Sequence, residues 1–124
     1  MVFISDFRQG SLIFYMQRKI RNKIDKELFL HFNNKKQSVS DDFQGKWGEA
    51  IACVLNHYKD TLKYKLIIYR YALSQNEVQI CMALNIEKTT LYNWINEIIT
   101  VTLIFASIQG LVEYDFHKKE LSLK

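Results

Sequence analysis

The stretch "EVQICMALNIEKTTLYNWI", from Glu77 to Ile95, is the most informative part of the chain. Ile80 and Leu84 stand four residues apart, so they lie on one face of a short helix. Asn85 follows directly, and asparagine tolerates the left-handed backbone conformation of a sharp turn better than most residues do. Ile86 can then fill the turn from the inside. The pattern predicts a short helix that ends abruptly at Asn85.

A second helix follows this turn and opens with the polar run "EKTT". Its buried stripe is expected to consist of Leu91, Trp94 and Ile98. Ahead of the first helix, Ser74 can act as the N-cap and Glu77 can close a capping box with it. Two short helices that cross steeply around a tight turn form a helix-turn-helix, which we place at about residues 74–99. An ordinary helix pair in a bundle is the alternative.

The outer face of the second helix bears on function. It is expected to present Lys88, Thr89, Thr90, Tyr92, Asn93 and Asn96. Asparagine can pair bidentately with adenine, threonine can contact the thymine methyl group or a phosphate, and lysine suits guanine or phosphate. These polar groups predict contacts with base edges of double-stranded DNA. Glu87 and Glu97 act in the opposite direction, because each would repel phosphate.

Phosphate contacts must then come from another segment, since the second helix has little net positive charge. The chain carries a net charge of +4, and its basic residues lie mainly in the first half. Up to Ala72 there are 13 Lys and Arg against 7 Asp and Glu, whereas from Leu73 onward there are 4 against 6. The expected phosphate contacts are Lys59, Lys63, Lys65 and Arg70.

The segment after the motif, "IITVTLIFASIQGLVEYDF", leaves almost no polar face. A helix that is apolar all round must be covered on all sides, either by the rest of this chain or by a second subunit in a homodimer. Gly110 can end the helix with a left-handed conformation. The alternation of apolar and polar residues in "LVEYDF" and "KELSLK" predicts a short terminal β-hairpin.

Further helices are predicted ahead of the motif. The first follows a cap at Ser11, and its apolar stripe is Ile13, Met16, Ile20, Ile24 and Leu28. The second begins near Ser40 or Asp41, and its stripe is Phe43, Trp47, Ala50, Ile51, Val54 and Tyr58. Gly45 and Gly48 either weaken this helix or mark close packing. The third helix, or a continuation after a kink near Asn56, would bury Leu62, Leu66, Tyr69 and Leu73.

The predicted fold class is all-α: a small helical domain with a C-terminal helix-turn-helix and a short terminal β-hairpin. The absence of proline and the presence of only four glycines favour helices. A polar loop, "NNKKQSVSDD", divides the chain. Residues 1–40 would form an N-terminal helical arm or oligomerisation segment, and residues 41–124 the helical domain with the motif.

Catalytic and metal-binding patterns are missing from the sequence, so neither an enzyme nor a cofactor is expected. Cys53 and Cys81 are interpreted as reduced, buried thiols. Cys53 and His57 share a helix face, but no further ligands accompany them. No apolar run reaches the roughly 20 residues of a membrane span, so we expect no membrane partner and a cytoplasmic location.

The run "LSQNEVQICMALNIEKTTLYNWINEIITVTLIFASIQGLVEY", Leu73 to Tyr114, resembles the C-terminal half of the ArpU/RinA-like transcriptional regulators of Gram-positive phages. The likeness lies in "LNIEKTTLY" and in the tail "FASIQGLVEY". Family members end in a helix-turn-helix like that of sigma-factor region 4. The resemblance implies a promoter-binding regulator in a bacterial host, with Lys88, Thr89, Tyr92 and Asn93 on the recognition helix.

The function expected from the sequence is therefore a sequence-specific DNA-binding transcriptional regulator encoded by a phage or mobile element. One alternative is a protein-interaction module that binds RNA polymerase or another regulator through the same fold. A packaging protein similar to a phage small terminase is the other, although such proteins usually carry the motif near the N-terminus.

Overall fold

The structure of the chain is a computed structural model that describes residues 18–33, 42–115 and 120–123. Within these residues the protein is mostly helical and ends in a two-stranded hairpin. In chain order the elements are α1 (Arg18–Asn33), α2 (Asp42–His57), α3 (Leu62–Ile67), a π-helix (Ile68–Ala72), α4 (Glu77–Leu84), α5 (Lys88–Ile108), β1 (Val112–Asp115) and β2 (Glu120–Leu123). The prediction of an all-α class with a terminal hairpin is confirmed.

Helix α1 belongs to the main core. Ile20, Ile24 and Leu28 are each almost completely buried and join one hydrophobic cluster with residues of α2, α3, α4 and α5. The described part of the 1–40 segment therefore packs within the helical domain instead of standing apart as an arm. Ser11, Ile13 and Met16, predicted to start this helix, lie outside the described residues.

Helix α2 buries the predicted stripe, which comprises Trp47, Ala50, Ile51, Val54 and the following Tyr58. Ser40, Asp41 and the side chain of Phe43 lie outside the described residues. A Cβ atom added at Gly45 or Gly48 would meet nothing within 4 Å. Close packing thus does not explain these glycines, and they only weaken the helix.

Helices α2 and α3 are separate, as one of the two sequence interpretations held. The chain turns at Asp60, whose φ of 66° is left-handed. Thr61 then caps α3: its hydroxyl accepts a hydrogen bond from the Tyr64 N–H at 3.2 Å and donates one to the Tyr58 carbonyl at 2.6 Å. A cap of this kind satisfies backbone groups at a helix start.

The π-helix changes which residues face inward after α3. Leu62 and Leu73, predicted to be buried, are 47% and 56% exposed, whereas Tyr71 is fully buried. A π-helical turn encloses one more residue than an α-helical turn, so the positions beyond it rotate away from a 3.6-residue pattern. The π-helix accounts for Leu73, which follows it, but not for Leu62, which begins α3. The prediction was wrong at both leucines and right at Leu66.

Tyr71 ties the π-helix to α1. Its hydroxyl donates a 2.6 Å hydrogen bond to Oδ1 of Asp25, and burial raises the pKa of this phenol. The side-chain amide of Asn33 donates to the Tyr71 carbonyl at 2.7 Å. These bonds give partners to groups that would otherwise be buried without one, which is costly.

Only one face of helix α5 is buried in the core. Its buried residues are Leu91, Ile95, Ile98, Ile99, Thr102 and Ala106. Trp94, predicted for this stripe, is only partly buried and Ile95 takes its place. On the other side Ile104 and Ile108 are 53% and 71% exposed, so this chain covers part of the apolar helix and leaves part uncovered.

By length and composition α5 also meets the requirement for a membrane-crossing helix, which core helices of soluble proteins meet as well. Polar residues such as Thr100 and Thr102 interrupt the apolar stretch, so no uninterrupted apolar run in the sequence indicates this property. The buried face of α5 is consistent with a soluble protein.

The end of α5 is built around Gly110, as predicted. Its φ is +78°, its N–H donates to the Ser107 carbonyl at 3.0 Å, and the Leu111 N–H donates to the Ala106 carbonyl at 2.9 Å. This is the hydrogen-bond pattern of a Schellman cap. The chain then enters the antiparallel hairpin, in which Val112 faces Leu123 across the two strands.

Two glycine substitutions are expected to have opposite effects. Gly110→Ala should lower the free energy of unfolding by about 1 kcal/mol, because an L-residue pays for left-handed backbone although space is free around it. Gly48→Ala should raise it by about 0.5–1 kcal/mol, because alanine favours the helix. Urea denaturation measures both, and a gain in stability from Gly110→Ala would contradict the role of this cap.

Candidate nucleic-acid interface

The start of α4 differs in detail from the prediction. Asn76 is the N-cap, and its side-chain oxygen accepts from the Gln79 N–H while the Gln79 side chain accepts from the Asn76 N–H, both at 2.9 Å. The capping box therefore uses Asn76 and Gln79 instead of Ser74 and Glu77. Ser74 has a left-handed φ of 54° and terminates the π-helix, where the Gln75 N–H donates to the Tyr69 carbonyl.

The turn between α4 and α5 has the predicted conformation. Asn85 is left-handed, with φ 56° and ψ 51°, and its N–H donates to the Cys81 carbonyl. The Ile86 N–H donates to the same carbonyl at 3.1 Å. Ile80 and Leu84 are buried and Ile86 is partly buried, so the turn is held by its own side chains. Whether this helix pair acts as a DNA-binding helix-turn-helix stays a prediction.

The six predicted contact residues lie away from the buried stripe of α5. Lys88, Thr89, Tyr92 and Asn93 are exposed, and Thr90 and Asn96 are half-buried at the margins. We call the set Lys88, Thr89, Tyr92, Asn93 and Asn96 the outer strip. Burial of Leu91 and Ile95 fixes the rotation of α5, so the outer strip points into solvent.

Glu77 contacts the outer strip, although sequence analysis gave it only a capping role. The Tyr92 hydroxyl donates to Oε1 of Glu77 at 2.8 Å, and Nζ of Lys88 lies 3.8 Å from the same oxygen. The hydrogen bond to Glu77 raises the pKa of Tyr92. Lys88 and Tyr92 are one helical turn apart, so a single carboxylate can reach both. Fifteen residues separate Glu77 from Tyr92, and no local pattern connects them.

Glu97, expected to repel phosphate, is occupied by two donors. The Tyr58 hydroxyl and Nζ of Lys63 each donate to its carboxylate at 2.8 Å. Burial acts to raise the pKa of Glu97, but the hydrogen bonds from Lys63 and Tyr58 outweigh it and leave this pKa below its usual value. Nζ of Lys63 also lies 5.6 Å from the ring centre of Trp94. Lys63 therefore lies directly beside α5.

The four predicted phosphate contacts occupy different environments. Lys59 and Lys65 are exposed, and neither forms an ion pair within the described residues. Arg70 instead packs on α1: its Nη2 is 3.5 Å from Oδ1 of Asp25, and its guanidinium lies over the rings of Phe29 and Tyr71. Its side chain is 24% exposed. Asp25 and the two aromatic rings thus hold the Arg70 side chain at the edge of the core, which argues against the predicted contact with phosphate.

Neither cysteine is fully buried, although both were predicted to be buried thiols. Both are free, but Cys53 is exposed and only Cys81 is partly buried. His57 packs edge-on against Phe105 with ring centres 6.3 Å apart. Among the residues that the structure describes, no group of three or more His, Cys, Asp or Glu could hold a metal ion.

Comparison with known proteins found no matching protein-family model, no matching curated protein and no matching solved structure.

The Glu97 contacts predict a pH-dependent contribution to stability. A carboxylate with a lowered pKa stabilises the fold above its unfolded pKa, and this contribution is lost as the pH falls through the folded pKa. Glu97→Gln should therefore cost at most about 1 kcal/mol at pH 7, since the group is partly exposed, and less than this near pH 3.

Urea denaturation at both pH values measures this difference. Glu49→Gln, which changes an exposed carboxylate on α2, is the matched control and should have little effect at either pH. An equal cost of Glu97→Gln at pH 7 and pH 3 would contradict the assigned ion pair.

Proposed function

We propose that this protein is a sequence-specific DNA-binding transcriptional regulator that reads double-stranded DNA through the outer strip of α5. The observation that carries the proposal is the division of one helix into two faces. Its inner residues, such as Leu91 and Ile98, are fully buried, while Thr89 and Asn93 are exposed. Packing therefore gives no reason for the chemistry of the exposed side chains.

Base reading would use the side chains of the outer strip. Asn93 can offer an amide donor and acceptor to adenine, Thr89 can contact a thymine methyl group, and Lys88 can donate to guanine. The tight turn at Asn85 supports this use, because a helix must project from the domain surface to enter a major groove. Asn96 and Thr90 would lie at the margins of such a contact.

Phosphate binding would come mainly from α3 and the turn before it. Lys59 and Lys65 are exposed without an ion pair among the described residues, and Lys63 reaches α5. Because Lys63 neutralises Glu97, this carboxylate opposes DNA less than its charge alone suggests. Arg70 has no part in the proposal, because Asp25 and two aromatic rings hold it.

The biological setting is a proposal that depends on the resemblance of residues 73–114 to ArpU/RinA-like regulators. On that ground we propose a protein encoded by a phage or mobile element that acts in the cytoplasm of a bacterial host. A homodimer would place two outer strips on one DNA duplex, in keeping with the symmetry of many operators.

A second candidate is a protein-interaction module that binds RNA polymerase or another regulator. The observation that favours it is an exposed apolar pair on α4: Val78 is 63% exposed and Met82 is 77% exposed. These residues are four apart and share a helix face. This face would then take the contact that the outer strip takes in the first proposal.

A salt series on selected DNA separates the two candidates. Bound sequences are first selected from random duplexes, and the affinity for the selected duplex is then measured at increasing salt. We expect log K to fall linearly with log salt, with a slope of about −0.9 for each neutralised phosphate. Failure of micromolar protein to bind any duplex at about 100 mM salt would reject DNA binding and favour the protein-interaction module.

Two substitutions are expected to act differently on DNA binding. Asn93→Ala should lower affinity for the selected duplex by about 10-fold and leave affinity for random duplex nearly unchanged, because it removes a base contact. Lys63→Ala should weaken both by similar factors, because it removes a positive charge beside α5 and leaves the Glu97 carboxylate without its ion pair, which then repels phosphate. Filter binding or fluorescence anisotropy measures both constants.

The control is Lys46→Ala, which removes one exposed positive charge from α2, outside the proposed contact set. It should change both affinities less than Lys63→Ala does. Equal losses of selected and random binding for Asn93→Ala would remove the base-reading role from Asn93.

A further inference from the structure

We propose that Glu77 determines how strongly the protein discriminates its specific DNA site from random DNA. The inference is based on the proposed function and concerns the same surface. Glu77 lies on α4, yet its Oε1 accepts from the Tyr92 hydroxyl at 2.8 Å and lies 3.8 Å from Nζ of Lys88. Two members of the outer strip therefore share one carboxylate oxygen from the neighbouring helix.

Neighbouring residues balance the charge of the outer strip. Helix α5, Lys88–Ile108, contains one basic residue, Lys88, and one acidic residue, Glu97. Lys63 neutralises Glu97, and Glu77 lies close enough to Lys88 to neutralise it in turn. In the free protein the outer strip thus carries little net charge. Random DNA offers mainly phosphates, and these would attract Lys88 but repel Glu77.

The hydrogen bond between Glu77 and Tyr92 also has a position that bears on DNA binding. The side chain of Glu77 is 41% exposed and Tyr92 is 44% exposed, so their hydrogen bond lies at the surface where a base edge would approach. A tyrosine side chain has only two torsion angles that position its ring. A hydrogen bond that fixes the hydroxyl therefore leaves few orientations of the ring open. Glu77 would therefore hold Tyr92 in one position, which suits some base steps and excludes others.

Capping does not account for the position of the Glu77 side chain. The capping box of α4 is already closed by Asn76 and Gln79. A carboxylate in the first turn also interacts favourably with the helix dipole, by about 0.3–1 kcal/mol, but this effect needs no contact with α5. The contact with Tyr92 and Lys88 is a separate feature.

The two effects combine into one expectation. The charge of Glu77 should weaken binding to every duplex, because phosphates surround any bound helix. On the specific site, the hydrogen bond by which Glu77 positions Tyr92 should recover part of that loss in affinity. Removal of the charge and of the strong hydrogen bond should then favour random DNA more than the specific site.

The test compares Glu77→Gln with the wild type on the selected duplex and on a random duplex of equal length. We expect affinity for the random duplex to rise about fivefold and affinity for the selected duplex to rise less than twofold. The ratio of specific to random affinity should fall by at least about 2.5-fold. These sizes correspond to one exposed charge interaction of roughly 1 kcal/mol.

Glu87→Gln is the matched control. Glu87 is also exposed, precedes Lys88 directly, and makes no side-chain hydrogen bond as N-cap of α5. It removes the same charge next to the outer strip without touching Tyr92. We expect it to raise both affinities by similar factors and to leave their ratio unchanged.

Tyr92→Phe provides a second variant with unchanged charge. It should lower the ratio about threefold by weakening selected binding, and adding it to Glu77→Gln should lower the ratio little further, because both changes act on the same contact. Circular dichroism and melting temperature verify that each variant is folded.

An unchanged ratio in folded Glu77→Gln, or the same fall in ratio in Glu87→Gln, would overturn the role of Glu77. Either result would leave the proposed function intact if the wild type still prefers the selected duplex. Failure of the wild type to bind any duplex would instead overturn the proposed function, and this inference with it.

Discussion

Burial of one face of α5 is the constraint on which the rest of the structure depends. Ile98 and Ile99 are almost completely buried at its centre, and α1 and α2 pack around it. Each fully buried side chain of this size contributes about 1.5–3 kcal/mol through the hydrophobic effect. Because these residues fix the helix in rotation, the same burial determines which side chains reach solvent. Core and candidate interface are two faces of one helix.

Acidic side chains near both ends of the outer strip have hydrogen-bonding and basic partners. Two carboxylates, Glu77 and Glu97, lie beside it, and each accepts a hydrogen bond from a tyrosine and also lies close to the Nζ atom of a lysine. The donors come from different elements in the two cases. Local charge is thus balanced by partners that tertiary packing supplies, and the net charge of a single helix is a poor guide to the field around it.

Sequence patterns predicted the local features well. The pair Ile80 and Leu84, the left-handed Asn85 and the cap at Gly110 each depend on residues within one or two helical turns. Features that depend on distant residues were missed, such as the contact of Glu77 with Tyr92.

The prediction of the N-cap of α4 was wrong for a related reason. Ser74 and Asn76 are both good N-caps, but Ser74 is left-handed and only Asn76 has the extended backbone of an N-cap. No periodicity rule indicates a π-helix, so Leu73, which follows it, was assigned to the buried face although it is exposed. The outer strip itself agrees with the sequence, because its residues lie opposite the buried face of α5.

The π-helix between α3 and α4 also has a consequence for how the chain tolerates changes in length. Its wider turn contains one residue more than an α-helix would need, and the Tyr71 hydroxyl and carbonyl are both bound by α1. A deletion of one residue within Ile68–Ala72 would remove the extra residue of this turn and displace Tyr71 from the α1 groups that bind its hydroxyl and carbonyl. Relatives of this chain should therefore vary in length in the terminal hairpin far more readily than in these five positions.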